Sequence, residues 1–146
     1  MLFSIKITSE DGEVIEIGKE GKEKEKNLIT NVEVHMDTVN NDARNKSNAM
    51  LAKIKIIGKI NSEISNEVLS LFNWSKELDQ KKWYRTIEIK AKSSLDTNFR
   101  TYIFEKVFIV DYIESYKAEI EGTSEADQFE LYLTQQENNF KTIEAY

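Results

Sequence analysis

Residues 99–116, FRTYIFEKVFIVDYIESY, are the longest run of strand-type sequence in the chain. Aromatic and β-branched side chains, which favour extended backbone, recur throughout this run. Apolar side chains fill four consecutive positions at residues 107–110, VFIV, so both faces of the segment are apolar there. The pattern predicts a long strand that is covered on both sides.

Shorter segments on either side of this run alternate apolar with polar side chains. Alternation with a period of two places one face of a strand in a core and the other face in water. The alternating segments cover residues 3–8, 28–37, 52–60, 83–90 and 129–134. Asp11-Gly12 is a strong turn signal, so residues 1–17 are predicted to form a hairpin.

One segment has helical spacing instead. Its apolar side chains recur every three or four positions, at Ile64, Val68, Leu71 and Phe72. Ser62 or Ser65 is expected to cap this helix, and the helix is expected to end near Trp74-Ser75. We expect the apolar stripe to cover the open end of a barrel rather than to bind a partner.

These elements define the predicted fold class, which is all-β, or mainly β with one helix. Seven or eight short strands with turns at this spacing favour a sandwich or a small barrel. The chain of 146 residues fits a single domain over residues 1–146, and its tail at 136–146 is either a docking segment or a frayed end. Proline is absent, so the sheet edges must be managed by closure, by charge or by pairing with a neighbour.

Two polar segments interrupt the strands. Residues 18–27, GKEGKEKEKN, are charged and are predicted to form a solvated loop. Residues 38–49, TVNNDARNKSNA, form a polar loop that is longer than an ordinary hairpin connection. Long loops in compact domains usually carry a function, so this loop is a candidate functional segment.

The composition excludes several classes of function. The net charge is −6 and its acidic and basic residues are interspersed, which disfavours nucleic acid as a partner. Cysteine is absent, as in proteins of a reducing compartment. No window approaches the roughly 18 apolar residues of a membrane span, and MLFSIKITSEDGE does not read as a secretory signal. We therefore expect a protein that folds in the cytoplasm and does not insert into a membrane.

His35, the one histidine in the chain, is the first residue to test for catalysis. Any Ser-His-Asp arrangement would have to use it, and no serine lies in a Gly-x-Ser-x-Gly elbow. A zinc site at His35 would have neither a cysteine nor a second histidine as co-ligand. The sequence predicts no catalytic site, no metal, no cofactor and no enzyme.

The order of the elements, together with residues 104–116, resembles a known family. A strand leads into the polar loop, and a basic strand, a helix ending in Trp-Ser and an aromatic strand follow. FEKVFIVDYIESY at 104–116 is the closest match, and FELYL at 129–133 completes the pattern. Over roughly residues 28–135 the chain resembles the haemolysin-coregulated protein (Hcp) family, the tube proteins of type VI secretion and of phage-tail-like contractile injection systems.

The resemblance implies both a fold and an assembly. The fold would be a small barrel of two sheets with a helix at its side, as in phage tail tubes. Family members form six-membered rings that stack into a hollow tube, which a contracting sheath drives into a target, and some carry effectors in the lumen. The implied partners are further copies of the chain, sheath, baseplate or spike proteins, and effector cargo. Such a protein is assembled in the cytoplasm and exported with the apparatus.

The resemblance also gives the polar loop a role, because the equivalent loop of the family reaches the next ring or the neighbouring subunit. The contacts it implies are Asp37, Asn40, Asn41, Asp42, Arg44 and Lys46. The basic face formed by Lys53, Lys55 and Lys59 would either line the lumen or face a sheath.

Two rival interpretations remain open at this point. One is a monomeric β-sandwich that binds a carbohydrate or another ligand through Trp83 and Tyr84. A binding module would expose these rings, whereas a tube subunit would bury them. The other rival is a hydrolase that uses His35.

Overall fold

The computed structural model describes residues 1–38, 50–93, 97–122, 126–136 and 142–146. Within these ranges the chain forms eight β-strands and one α-helix. The strands are β1 (Leu2–Ser9), β2 (Val14–Ile17), β3 (Ile29–Thr38), β4 (Met50–Lys59), β5 (Arg85–Lys92), β6 (Asn98–Ser115), β7 (Gln128–Gln135) and β8 (Glu144–Ala145). The helix is α1 (Ser65–Ser75), and no helix in these ranges has both the length and the apolar character that crossing a membrane requires. The mainly-β prediction with one helix is therefore confirmed.

All strands belong to one antiparallel sheet in the order β2-β1-β5-β6-β7-β4-β3, and β8 pairs with β6. The long strand β6 joins two halves of this sheet, because its first part pairs with β5 and its second part pairs with β7. A register shift lies between the two parts, next to Lys106, whose φ is 58°. An irregularity of this kind bends a strand, so the same strand can serve two differently oriented halves.

The sheet is strongly curled. β1 and β3 contact each other although they lie near opposite ends of the strand order. Among the described residues, however, no backbone ladder joins β2 to β3. Closure into a barrel therefore stays a prediction.

The core fills the inside of this curled sheet, where the inner faces of the strands meet. The alternation predicted for the shorter strands is confirmed on β1, β4, β5 and β7, whose inner residues are buried. They are Ile5, Ile7, Ala52, Ile54, Ile56, Ile87, Ile89, Phe129, Leu131 and Leu133. Gly58 lies against the Phe129 ring, where a β-carbon would come within 2.5 Å of two ring atoms. The glycine in β4 is thus required by packing.

The helix forms where it was predicted and ends at Ser75, but two details were wrong. The side chain of Asn61, rather than Ser62 or Ser65, accepts a hydrogen bond at the start of the helical segment, from the N–H of Glu63. Phe72 is 45% exposed, and Trp74 is buried in its place. The indole N–H of Trp74 donates to the carbonyl of Trp83 at 2.9 Å, which holds the chain after the helix against it.

Three further expectations meet a mixed outcome. Val110 is 55% exposed, so β6 is not covered on both sides along the whole of residues 107–110, as the four apolar side chains had suggested. The prediction of a wholly solvated loop at residues 18–27 is wrong at Glu25, which is 3% exposed. The described end of the tail is a docking segment, since β8 pairs with β6 and Tyr146 exchanges two backbone hydrogen bonds with Thr101.

Candidate assembly surfaces

The outer face of β3 and β4 carries the lysines that the sequence predicts as a basic face. Lys53 Nζ lies 3.1 Å from Asp37 Oδ2, and Lys55 Nζ lies 3.7 Å from Glu33 Oε2. The hydrogen bond from Lys53 is the largest cause that holds the pKa of Asp37 below its ordinary value. Since two of the three lysines have acidic partners one strand away, this face is an ion-paired surface rather than a basic one.

Of the predicted interface residues, the structure describes Asp37 alone. It lies near the end of β3, one residue before the paired ends Thr38 and Met50 of a two-stranded ladder. The other five predicted contacts, Asn40, Asn41, Asp42, Arg44 and Lys46, lie outside the described residues. Their assignment stays a prediction.

His35 lies exposed on the same face, cross-strand from Lys53. In the described part of the chain its side chain makes no hydrogen bond to a serine. Ser9, the serine closest to a carboxylate, donates to Asp11 instead, and this bond lowers the pKa of Asp11. The described residues also contain no group of three metal-ligating side chains. This geometry does not favour the hydrolase interpretation.

Trp83 and Tyr84, the aromatic pair of the ligand-binding interpretation, are held in place by the fold. The Trp83 indole donates to the carbonyl of Glu77 at 2.7 Å, although the residue is 36% exposed. The Tyr84 ring is half-buried and meets the Phe108 ring edge-on, with 5.8 Å between centroids. Neither residue is a fully exposed platform for a ligand.

A groove of about 790 Å³ lies between the outer face of β1 and β5 and the segment at residues 18–27. Six lysines line it, against four glutamates: Lys6, Lys19, Lys22, Lys26, Lys90 and Lys92, with Glu16, Glu20, Glu23 and Glu88. We call it the lysine groove. Its lining therefore carries a net positive charge in a protein whose overall charge is −6.

The segment that bounds the lysine groove is fixed at several points. Glu25 is buried with Lys22 at 3.4 Å, and Lys24 lies 3.4 Å from Glu63 beyond the segment. Lys92 on β5 reaches across to Glu20 at 3.2 Å. These contacts keep the groove open with one defined wall.

Most of the groove lysines have acidic neighbours, but two do not. Lys6 and Lys26 form no ion pair with any described residue, and both are exposed. They are the cations in the groove whose charge is left for a partner.

The connection between β6 and β7 carries the opposite charge. Residues 116–122, YKAEIEG, are exposed throughout, with Ile120 at 63% between Glu119 and Glu121. We call this segment the acidic loop. Its start is anchored by the N–H of Lys117, which donates to Asp127 Oδ1 at 2.8 Å. An apolar side chain between two carboxylates thus projects from a fixed base.

Other exposed apolar side chains lie on α1 and β6. Leu69 and Phe72 are three positions apart on α1 and are 56% and 45% exposed. Val110 and Ile113 lie on the second half of β6 and are 55% and 38% exposed. Both pairs are available as further contact surfaces.

This fold is similar to solved structures of known proteins. A crystal structure of an Hcp protein matches with a TM-score of 0.61 at 14% identity, covering 90% of this chain and 85% of that chain. Hcp1 from E. coli EAEC 042 matches with a TM-score of 0.61 at 9% identity, covering 100% of this chain and 98% of that chain. A chain of the anti-feeding prophage baseplate matches with a TM-score of 0.53 at 12% identity, covering 99% and 91%.

No protein-family model and no curated protein matches the sequence. The structural likeness nevertheless extends over nearly the whole length of both chains. The protein therefore has the Hcp-like fold that residues 104–116 led us to expect.

The sequence did not reveal the lysine groove or the acidic loop as surfaces. The groove combines side chains from the first strand, the segment at 18–27 and β5, which lie far apart along the chain. The only sequence signal was the density of lysine in residues 18–27, which also describes an ordinary solvated loop.

Proposed function

We propose that this chain is a structural ring and tube subunit of a contractile injection or type VI-like secretion apparatus. Copies of the chain assemble into six-membered rings, and the rings stack into a tube. The observation that carries this proposal is the near-full-length match to an Hcp protein with a TM-score of 0.61. The role is structural rather than catalytic, which agrees with the surroundings of His35.

The polar loop supplies contacts between rings or between neighbouring subunits in this proposal. It follows directly on the β3–β4 ladder, so Asp37 and the residues after it leave the sheet from a fixed base. The proposed contacts are Asp37, Asn40, Asn41, Asp42, Arg44 and Lys46. Polar, partly solvated contacts suit stacking that has to remain reversible during assembly.

The same proposal names the other partners. Sheath, baseplate or spike proteins contact the outside and the end of the tube, and effector cargo occupies the lumen. The subunit is made and assembled in the cytoplasm and leaves the cell as part of the apparatus.

The mass of the protein in solution tests the assembly. Light scattering at low and high protein concentration is expected to show a species of about six subunits, and negative-stain electron microscopy is expected to show rings. A protein that stays monomeric at every concentration, with no rings on the grid, would contradict the proposal.

A charge reversal in the polar loop tests the stacking contact separately. Arg44→Glu is expected to leave single rings intact and to shorten the stacked tubes seen by electron microscopy. Lys81→Glu is the matched control, because Lys81 is an exposed lysine on a turn far from the loop. Tubes of equal length in both variants would remove the loop from the contact.

A further inference from the structure

The lysine groove and the acidic loop have complementary charge and shape. The groove is concave, with a volume of about 790 Å³, within the range of about 300–1,000 Å³ that holds a ligand of several side chains. The acidic loop is convex and presents Glu119, Ile120 and Glu121 to solvent. Leu2 contributes apolar lining to the groove, so the loop's apolar side chain also has a counterpart.

The two surfaces lie at opposite ends of β6. Asn98 and Thr101, at the start of this strand, line the groove, whereas the acidic loop follows Ser115 at its end. A strand rises about 3.3 Å per residue, so the stretch from Thr101 to Ser115 spans up to about 46 Å. A copy cannot place its own loop in its own groove across that distance.

We propose that the acidic loop of one copy docks in the lysine groove of the next copy. Glu119 and Glu121 then face Lys6 and Lys26, the two groove lysines without an ion-pair partner among the described residues. The inference rests on the proposed self-assembly and names the surfaces that carry it.

Because the two surfaces differ, the contact is head-to-tail. Such a contact repeats from copy to copy and closes into a ring when the rotation between copies allows it. The charges are exposed, so the contact weakens as salt rises.

Single charge reversals on each surface test this docking. We expect Glu121→Lys and Lys26→Glu each to raise the protein concentration needed for assembly by about tenfold, because like charges then meet. Glu105→Lys is the matched control, since Glu105 is an exposed acid on β6 that lines neither surface. Unchanged thermal unfolding midpoints show that the variants fold.

Mixing the two variants separates a specific contact from general damage. Equal amounts of Glu121→Lys and Lys26→Glu protein are expected to assemble at the wild-type concentration, because each loop then finds a groove of opposite charge. The chain has no cysteine, so Ile120→Cys combined with Lys26→Cys provides a second, covalent test. A short thiol-reactive cross-linker is expected to give a ladder of linked copies, and the pair Ile120→Cys with Glu105→Cys is expected to give none.

The outcomes distinguish this inference from the function on which it rests. If the wild type forms rings while Glu121→Lys and Lys26→Glu assemble like the control, and the cross-linker gives no ladder, the docking is wrong and the tube function stands. If the wild type is monomeric at every concentration, both are overturned.

Discussion

The first half of β6 lies between two strands, whereas its second half has a partner on one side. β5 pairs with residues 98–107, and β8 lies along the other edge at Tyr102 and Ile103. Residues 108–115 pair with β7, and the described residues place no strand on their opposite edge. One strand thus contains a fully paired half and an edge half.

The edge half shows how an unpaired edge is protected without proline. A register shift at Val110 interrupts its ladder, and the carboxylate of Asp111 accepts the backbone N–H of Tyr112 at 3.1 Å. Bulges and charged side chains are known means of preventing uncontrolled strand pairing. The comparison teaches that the first half serves the core, whereas the second half balances availability for contacts against aggregation.

The largest effect is expected in the paired half. Phe104→Ala empties a fully buried site and should lower the free energy of unfolding by about 3–5 kcal/mol. Phe99→Ala, in the same half but with a ring that is 60% exposed, should cost no more than about 1 kcal/mol. Urea denaturation measures both. Equal losses would mean that the two rings do not differ in burial.

The junction between the halves should show the next largest effect. Lys106 has a φ of 58°, a conformation that β-branched residues avoid, so Lys106→Val should cost about 1–2 kcal/mol. Lys106→Asn is the control, because it also removes the ion pair with Glu10 but tolerates this backbone conformation. If both variants lose the same stability in urea, the ion pair and not the backbone determines the result.

A buried hydroxyl in the edge half gives a pH-dependent effect. Tyr112 donates to Glu114 Oε1 at 2.9 Å, and burial, followed by this bond, raises the pKa of Tyr112 above its ordinary value. Above about pH 10 the unfolded chain loses the proton first, so the folded state loses stability as pH rises further.

Tyr112→Phe removes this titration. We expect it to cost about 1 kcal/mol at pH 8 and to make the decline in unfolding free energy between pH 8 and pH 11 less steep. Tyr146→Phe, at an exposed tyrosine, is the control in the same urea titrations. An unchanged decline in Tyr112→Phe would show that Tyr112 does not carry the effect.

The smallest effect is expected on the outer face of the edge half. Val110 is 55% exposed, so Val110→Thr should change the unfolding free energy by less than about 0.5 kcal/mol. A loss above 1 kcal/mol in urea would place this side chain in the core after all.

The inner faces of the shorter strands could be predicted because alternation is a local rule. Leu131 and Leu133, for example, are buried wherever β7 pairs, as long as its inner face is apolar. The helix limits were also local, but the choice between Phe72 and Trp74 was not. It depends on the Trp83 carbonyl, which receives the Trp74 indole N–H from another segment.

The bend of β6 and the candidate surfaces could not be predicted in this way. Lys106 is neither glycine nor asparagine, so its positive φ leaves no trace in the sequence. The apolar run at 107–110 suggested coverage on both sides because a bulge that turns Val110 outward cannot be read from composition. Glu25 looked like one charge among many, and its burial follows from contacts with a distant turn.

The pairing of β1 with β5 also determines when the chain can fold. Leu2 pairs with Lys92, so β1 and β2 remain an isolated hairpin, which is marginally stable in water, until residues 85–92 have been synthesised. Such long-range strand pairing is formed in milliseconds to seconds rather than microseconds. The lysine groove draws side chains from both β1 and β5, and it is therefore completed only by a finished sheet. An unfinished chain on the ribosome has no groove with which to recruit another copy.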